Sequence, residues 1–286
     1  MGLARFFFVL TVLLCGAATA DETPRRIVSM NLCADQMVLL LAEPGTVASV
    51  SFLTADPAES PVAHLTAGLV LNHGEAEEVI ALDPDLIVTG RYTTVAAKLL
   101  LRRLDYPILE LDIPQTFEGV RESYLTLGEA LGRESEARTL IATLEQRFSA
   151  IDAQVGGTSF GSVLILDANG FTVGRPSLVD QVLTRIGLTN VAAQLGVGDF
   201  GQVTLEAVLL ADPDYIVRMM YRPDAPSLAS QTLTHPALKA FLGSQPMIPV
   251  PQSWVNCGGP YLADAAEAVF DAVAARRSAG LPGVVP

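Results

Sequence analysis

Hydrophobic and polar positions along this chain follow one pattern that occurs twice. Ala76-Glu-Glu-Val-Ile-Ala-Leu-Asp-Pro-Asp-Leu-Ile-Val88 returns 129 residues later as Leu205-Glu-Ala-Val-Leu-Leu-Ala-Asp-Pro-Asp-Tyr-Ile-Val217. Each copy begins with apolar residues at helical spacing and ends in a continuous β-branched run. Between them, the proline of Asp-Pro-Asp removes a backbone donor and restricts the residue before it, which stops the helix. Each copy therefore predicts a short amphipathic helix, a turn and a buried strand. Two lobes built on one plan follow from the repeat.

The flanking pattern alternates in the same way. Strands are predicted at 26–30, 46–50 and 107–111 in the first half and at 162–166 and 247–250 in the second. Helices are predicted at 34–42, 178–186 and 261–277. Such alternation implies parallel sheets with helices on both faces, an α/β architecture of two doubly wound lobes. The lobes are expected at residues 21–116 and 152–286. Between them, 117–151 contains no proline and places Ala137, Leu140, Ile141, Leu144, Phe148 and Ile151 at helical spacing, which predicts a long connecting helix. Gly119, Gly128 and Gly132 are the points where it could divide into two pieces.

The N-terminus adds a compartment. Arg5 precedes an apolar run from Phe6 to Leu14 and the small residues Gly16 to Ala20, the pattern of a secretory signal peptide, with cleavage expected after Ala20. The run is far shorter than the ~20 apolar residues of a spanning helix. Lipidation at Cys15 is disfavoured because bulky Leu14 precedes it. Without residues 1–20 the 18 basic residues fall to 17 against 31 acidic, a net charge of −14. An acidic surface repels phosphates, so nucleic acid is an unsuitable partner.

Of the three histidines, His73 follows Asn72, and Glu75 stands three positions beyond Asn72, so a helix start is expected there. No two histidines have tight metal-ligand spacing. The segment Gly196-Val-Gly198-Asp-Phe-Gly201 matches a dinucleotide fingerprint, but it follows a helical-looking stretch where a strand is needed. No Gly-x-Ser-x-Gly, Gly-x-x-x-x-Gly-Lys or His-Glu-x-x-His motif occurs. An enzyme would have to act through residues that the sequence does not bring together, and an exported ligand-sensing domain is a further reading.

The opening Arg26-Ile-Val-Ser-Met-Asn-Leu-Cys-Ala-Asp-Gln36, the glutamate-bearing helix before Asp-Pro-Asp, and Val163-Leu-Ile-Leu-Asp-Ala-Asn-Gly-Phe-Thr172 together resemble the periplasmic binding proteins for vitamin B12, ferric siderophores and haem. The resemblance covers nearly the whole mature chain. It implies two α/β lobes joined by a long helix, a monomer exported to the periplasm, and no intrinsic cofactor. Its ligand would be a ferric siderophore, cobalamin or haem, delivered to the permease dimer of an ABC importer. In that family one acidic residue on each lobe docks on the permease, and the matching positions are Glu77 and Glu206.

Ligands of open α/β sheets bind beyond the carboxyl ends of the strands. The loops expected there supply Asn31 and Cys33, Arg91 and Tyr92, Asn169, Phe171 and Arg175, Arg218 and Tyr221, and Trp254 and Asn256. Aromatic faces with a few cations suit a large, partly flat, anionic ligand. Cys33 and Cys257 fall in such loops, one per lobe. A disulfide across the cleft, thiols lining the pocket, and inert buried thiols are all open readings.

Overall fold

The computed structural model describes residues 23–222, 229, 231–243 and 247–279. The expected signal peptide, residues 1–20, lies outside them. Five parallel strands, β1 (Ile27–Ser29), β2 (Val47–Ser51), β3 (Val70–Asn72), β4 (Leu86–Gly90) and β5 (Ile108–Leu111), form the N-lobe sheet in the order β3-β2-β1-β4-β5. The order reverses between β1 and β4, which makes the space beyond their carboxyl ends the topological switch point of this lobe. Alternate residues face opposite layers. Ile27 and Val88 pack in the main core with α1 (Leu32–Leu41), whereas Val28 and Ile87 pack with α2 (Ala76–Ile80) and α3 (Val95–Arg103).

In the C-lobe, β6 (Gly161–Ile165), β8 (Leu188–Asn190), β10 (Tyr215–Met220) and β11 (Ile248–Pro251) form a second parallel sheet, ordered β11-β10-β6-β8. Around it lie α6 (Leu178–Arg185), α7 (Leu205–Ala211), α8 (Gln231–Thr234), α9 (Pro236–Leu242) and α10 (Tyr261–Ser278). The antiparallel pair β7 (Phe171–Val173) and β9 (Phe200–Gln202), the edge strand β3, and β8 were not anticipated by the hydrophobic pattern. Three-residue strands give too few positions for a period of two to stand out.

The repeat is visible in the fold. Asp83 and Asp212, the first aspartates of the two Asp-Pro-Asp turns, both adopt left-handed backbone, φ 48° and 43°. The second aspartates fasten the first strand of their lobes. Asp85 accepts from the backbone N–H of Arg25 and Arg26 at 2.7 and 2.8 Å, and Asp214 accepts from the N–H and hydroxyl of Ser162, both at 2.7 Å. A Cβ at Gly161 would lie 2.6 Å from the Asp214 carboxylate and φ there is 112°, so glycine is required.

The stretch expected as one connecting helix divides into α4 (Phe117–Ala130) and α5 (Glu134–Val155). The break falls at Gly132, whose φ of 63° disfavours other residues, while Gly119 and Gly128 remain helical. Gly128 lets the two helices approach, since a Cβ there would lie 2.7 Å from that of Ala137. The 22 residues of α5 span ~33 Å at 1.5 Å per residue. At the N-lobe end Arg133 Nε, just before α5, donates to the Leu41 carbonyl at 3.3 Å; further along, Arg147 binds both Asp264 and Glu267 of α10. Among the described residues no helix is long and apolar enough to cross a membrane.

Candidate functional site: the cleft between the lobes

Asn31 ends the chain's exit from β1 and caps α1, its side-chain oxygen accepting from Cys33 N–H at 3.1 Å. It packs so tightly on Gly90 that a Cβ there would lie 2.7 Å away. Thus the loops after β1 and β4, where Arg91 and Tyr92 stand exposed, are joined at the switch point. One turn into α1, the fully buried Asp35 accepts from Ser51 N–H at 2.9 Å and Thr54 hydroxyl at 2.6 Å. Burial outweighs these bonds and pushes its pKa up to about 6. Asp35 therefore orders the loop after β2, from which Phe52 projects, 45% exposed and stacked on His73 with ring centroids 5.0 Å apart.

The helix start near His73 differs from the expectation. Asn72 is buried and spends its amide on the Ser29 carbonyl and the Ser49 hydroxyl, so α2 begins only at Ala76. Glu78, not Glu75, reaches back to the His73 N–H at 2.6 Å, and that bond holds its carboxyl below the usual range.

On the C-lobe side, Asp167 caps the turn after β6, and burial raises its pKa. Tyr221 follows β10, partly exposed, with the Arg222 guanidinium 5.4 Å from its ring centroid. Arg218 is half-buried on β10, and its Nε has no hydrogen-bond partner among the described residues. Trp254 follows β11 and is half-buried against the main core, so only part of it can face a ligand.

Two contacts join the lobes at these loops. Cys33 and Cys257 form a disulfide, Cα–Cα 5.2 Å, and the Cys33 Sγ lies 3.7 Å from the Asn256 carbonyl. The two thiol readings therefore fall away. Arg222 is ion-paired with Asp56, which follows the turn after β2. Both contacts connect residues beyond strand carboxyl ends of different sheets, so the carboxyl ends of the two sheets are turned toward one another.

Not every predicted residue converges there. Asn169, exposed at φ 56°, lines a depression of about 570 Å³ with Gln202, Glu206 and His235. Arg175 is exposed, binds Asp180 at 2.8 Å, and lines a groove of about 500 Å³ with Phe117, Gln181 and Arg185. Phe171 is on the β7–β9 hairpin, 37% exposed. Phe52, Asp56 and Arg222 were missed. The carboxyl-end rule applied to β2 as well as β1 and β4 would have flagged the first two.

Glu77 and Glu206 are both exposed in the first turns of α2 and α7. Glu206 is held below the usual carboxylate range by its own backbone N–H and by Thr204. Among the described residues no group of three His, Cys, Asp or Glu side chains is placed to hold a metal ion. The segment containing Gly196, Gly198 and Gly201 runs into β9, and α7 opens only after Thr204, so the strand-turn-helix of a dinucleotide site is not formed.

Residues 27–242 match the family described as periplasmic binding protein, and the chain belongs to that family. It is 28% identical over 208 residues to a protein of Halobacterium salinarum named cobalamin-binding protein, a match that spans 70% of this chain and 55% of that relative. It is 26% identical over 209 residues to YvrC of Bacillus subtilis, an uncharacterized ABC transporter substrate-binding lipoprotein, covering 70% and 65% respectively. The chain thus spans under two thirds of either relative. Among solved structures, the apo periplasmic heme-binding protein RhuT of Roseiflexus sp. RS-1 superposes with a TM-score of 0.73 at 22% identity, covering 87% of this chain and 99% of that one. The vitamin B12 binding protein BtuF of Vibrio cholerae gives 0.68 at 20% identity, covering 89% and 98%. At these identities the likeness shows the fold, two α/β lobes with parallel sheets.

Proposed function

We propose that this chain is the exported substrate-binding component of an ABC importer and captures a bulky metal chelate in the inter-lobe cleft. The chelate class is cobalamin, haem or a ferric siderophore, and release follows docking on a permease dimer through Glu77 and Glu206. The observation that carries this reading is the meeting of loops from the carboxyl ends of both sheets, joined by Cys33–Cys257 and by Asp56–Arg222. Phe52, Tyr92 and Tyr221 expose aromatic faces on these loops, and Arg91 adds a cation. Such a surface suits a flat, partly anionic ligand whose rim meets guanidinium groups. A relative named for cobalamin binding supports the same class. On this reading the chelator brings the metal.

Fluorescence of Trp254, the single tryptophan, tests the reading. Titration of the mature protein with cyanocobalamin, haemin and ferric siderophores should give saturable quenching by at least one of them at micromolar concentration or below. Silence across the panel, confirmed by calorimetry, would reject the ligand class.

A further inference from the structure

The loop between β11 and α10 makes contacts that a stabilising staple alone does not need. Cys257 is bonded to Cys33 in the first turn of α1. The next residue, Gly258, lies where a Cβ would be 2.6 Å from both Pro114 and Val120, and Gly259 lies where a Cβ would be 2.9 Å from the buried Tyr124 hydroxyl. Pro114 belongs to the segment that leaves β5 for α4, and Val120 and Tyr124 belong to α4. One short stretch of the C-lobe is therefore held against α1, the segment from β5 to α4, and α4 itself. The same loop carries Trp254 and Asn256, both named as cleft residues above.

We propose that the Cys33–Cys257 disulfide is the positioning element of the ligand cleft, presetting its width before ligand arrives. This rests on the cleft being the ligand site. Disulfides tolerate Cα separations up to about 6.8 Å. From the present 5.2 Å the lobes can part by only ~1.6 Å at this point. Any wider opening must pivot here and separate the second contact, Asp56–Arg222, which is ionic and breakable. With the bond in place the binding-competent arrangement is the resting one, and ligand affinity carries no penalty for assembling it. Without it, the loop holding Trp254 and Asn256 detaches from α1 and the competent fraction falls.

Hydrogen exchange of the mature protein, oxidised, reduced with a phosphine, and as the Cys33→Ser/Cys257→Ser variant, decides the matter without a ligand. Exchange should accelerate about tenfold or more in 112–116 and 252–259 in both disulfide-free forms while the sheet strands keep their protection. Equal protection in those two segments would overturn the proposal, as would acceleration spread evenly over the chain. For whichever chelate the Trp254 titration identifies, affinity should weaken about tenfold in both disulfide-free forms. A control, Val191→Ala in the separate C-lobe core, should lower stability and leave affinity unchanged; equal weakening by the control would also overturn it. If no chelate binds the oxidised protein, the functional reading fails, and the exchange result still decides the role of the disulfide.

Discussion

In the N-lobe Asp85 fastens the chain entering β1 through two backbone N–H groups; in the C-lobe Asp214, 129 positions on, fastens β6 through one N–H and one hydroxyl. The helices before these aspartates open with exposed Glu77 and Glu206. So far the lobes are copies. They diverge in the acid buried at the start of the first helix that follows each leading strand. Asp35 in α1 is met only by hydroxyl and backbone donors, whereas Asp180 in α6 has the Arg175 guanidinium at 2.8 Å. The frame of each lobe is thus fastened largely through backbone N–H groups, whereas the charge around its buried acid is set by side-chain partners that differ between the lobes.

The largest expected effect breaks the comparison at Asp35. Its pKa of about 6 in the folded chain stands above the ordinary 3.8, so the folded state holds the proton more tightly than the unfolded one. The neutral form's advantage is fully present below about pH 4 and is lost as pH rises through 6, a change on the order of 3 kcal/mol for ~2 pKa units. The stability difference between wild type and Asp35→Asn, measured by denaturant unfolding, should therefore shift by about that amount between pH 4 and 7. A pH-independent difference would show that the hydrogen bonds, not burial, dominate.

The next effect tests the copied frame. Asp214→Ala leaves Ser162 without its double acceptor and should cost about 2–3 kcal/mol; Asp85→Ala, in a more exposed place, should cost ~1 kcal/mol. Equal costs in thermal unfolding would mean that the shared geometry, not its burial, sets the energy. The smallest effect on the protein itself comes from Glu77→Lys with Glu206→Lys. Each loses a favourable interaction with the N-terminus of a short helix at an exposed position, so stability changes little and chelate binding should be unchanged. Stimulation of the transporter's ATP hydrolysis should fall sharply, and full stimulation by the double variant would remove both glutamates from the docking face.

Much of the frame was legible because it rests on local rules. Proline after Asp83 and Asp212 stops a helix wherever it occurs, and β-branched runs such as Leu86–Val88 and Tyr215–Val217 need no partner to be recognised as buried strands. Elements decided by pairing were not legible. The strand β3 exists because it pairs with β2, and the Phe171–Val173 strand because it pairs with Phe200–Gln202. The same division holds in the site: the loops bearing Asn31, Arg91, Tyr92 and Tyr221 followed from strand ends, but Asp56–Arg222 required knowing which loops meet.

By itself the sequence determined the duplication, the parallel α/β lobes, the break available at Gly132, and the family resemblance, since periodicity, turn chemistry and short motifs act over neighbouring residues. Tertiary structure alone decided that Cys33 and Cys257 are bonded, that Asn72 is spent inside the sheet, that Trp254 is half core, and that Asn169 sits beside Glu206. Partners as far as 224 positions apart meet only after both sheets have formed, and nothing in local spacing encodes that distance.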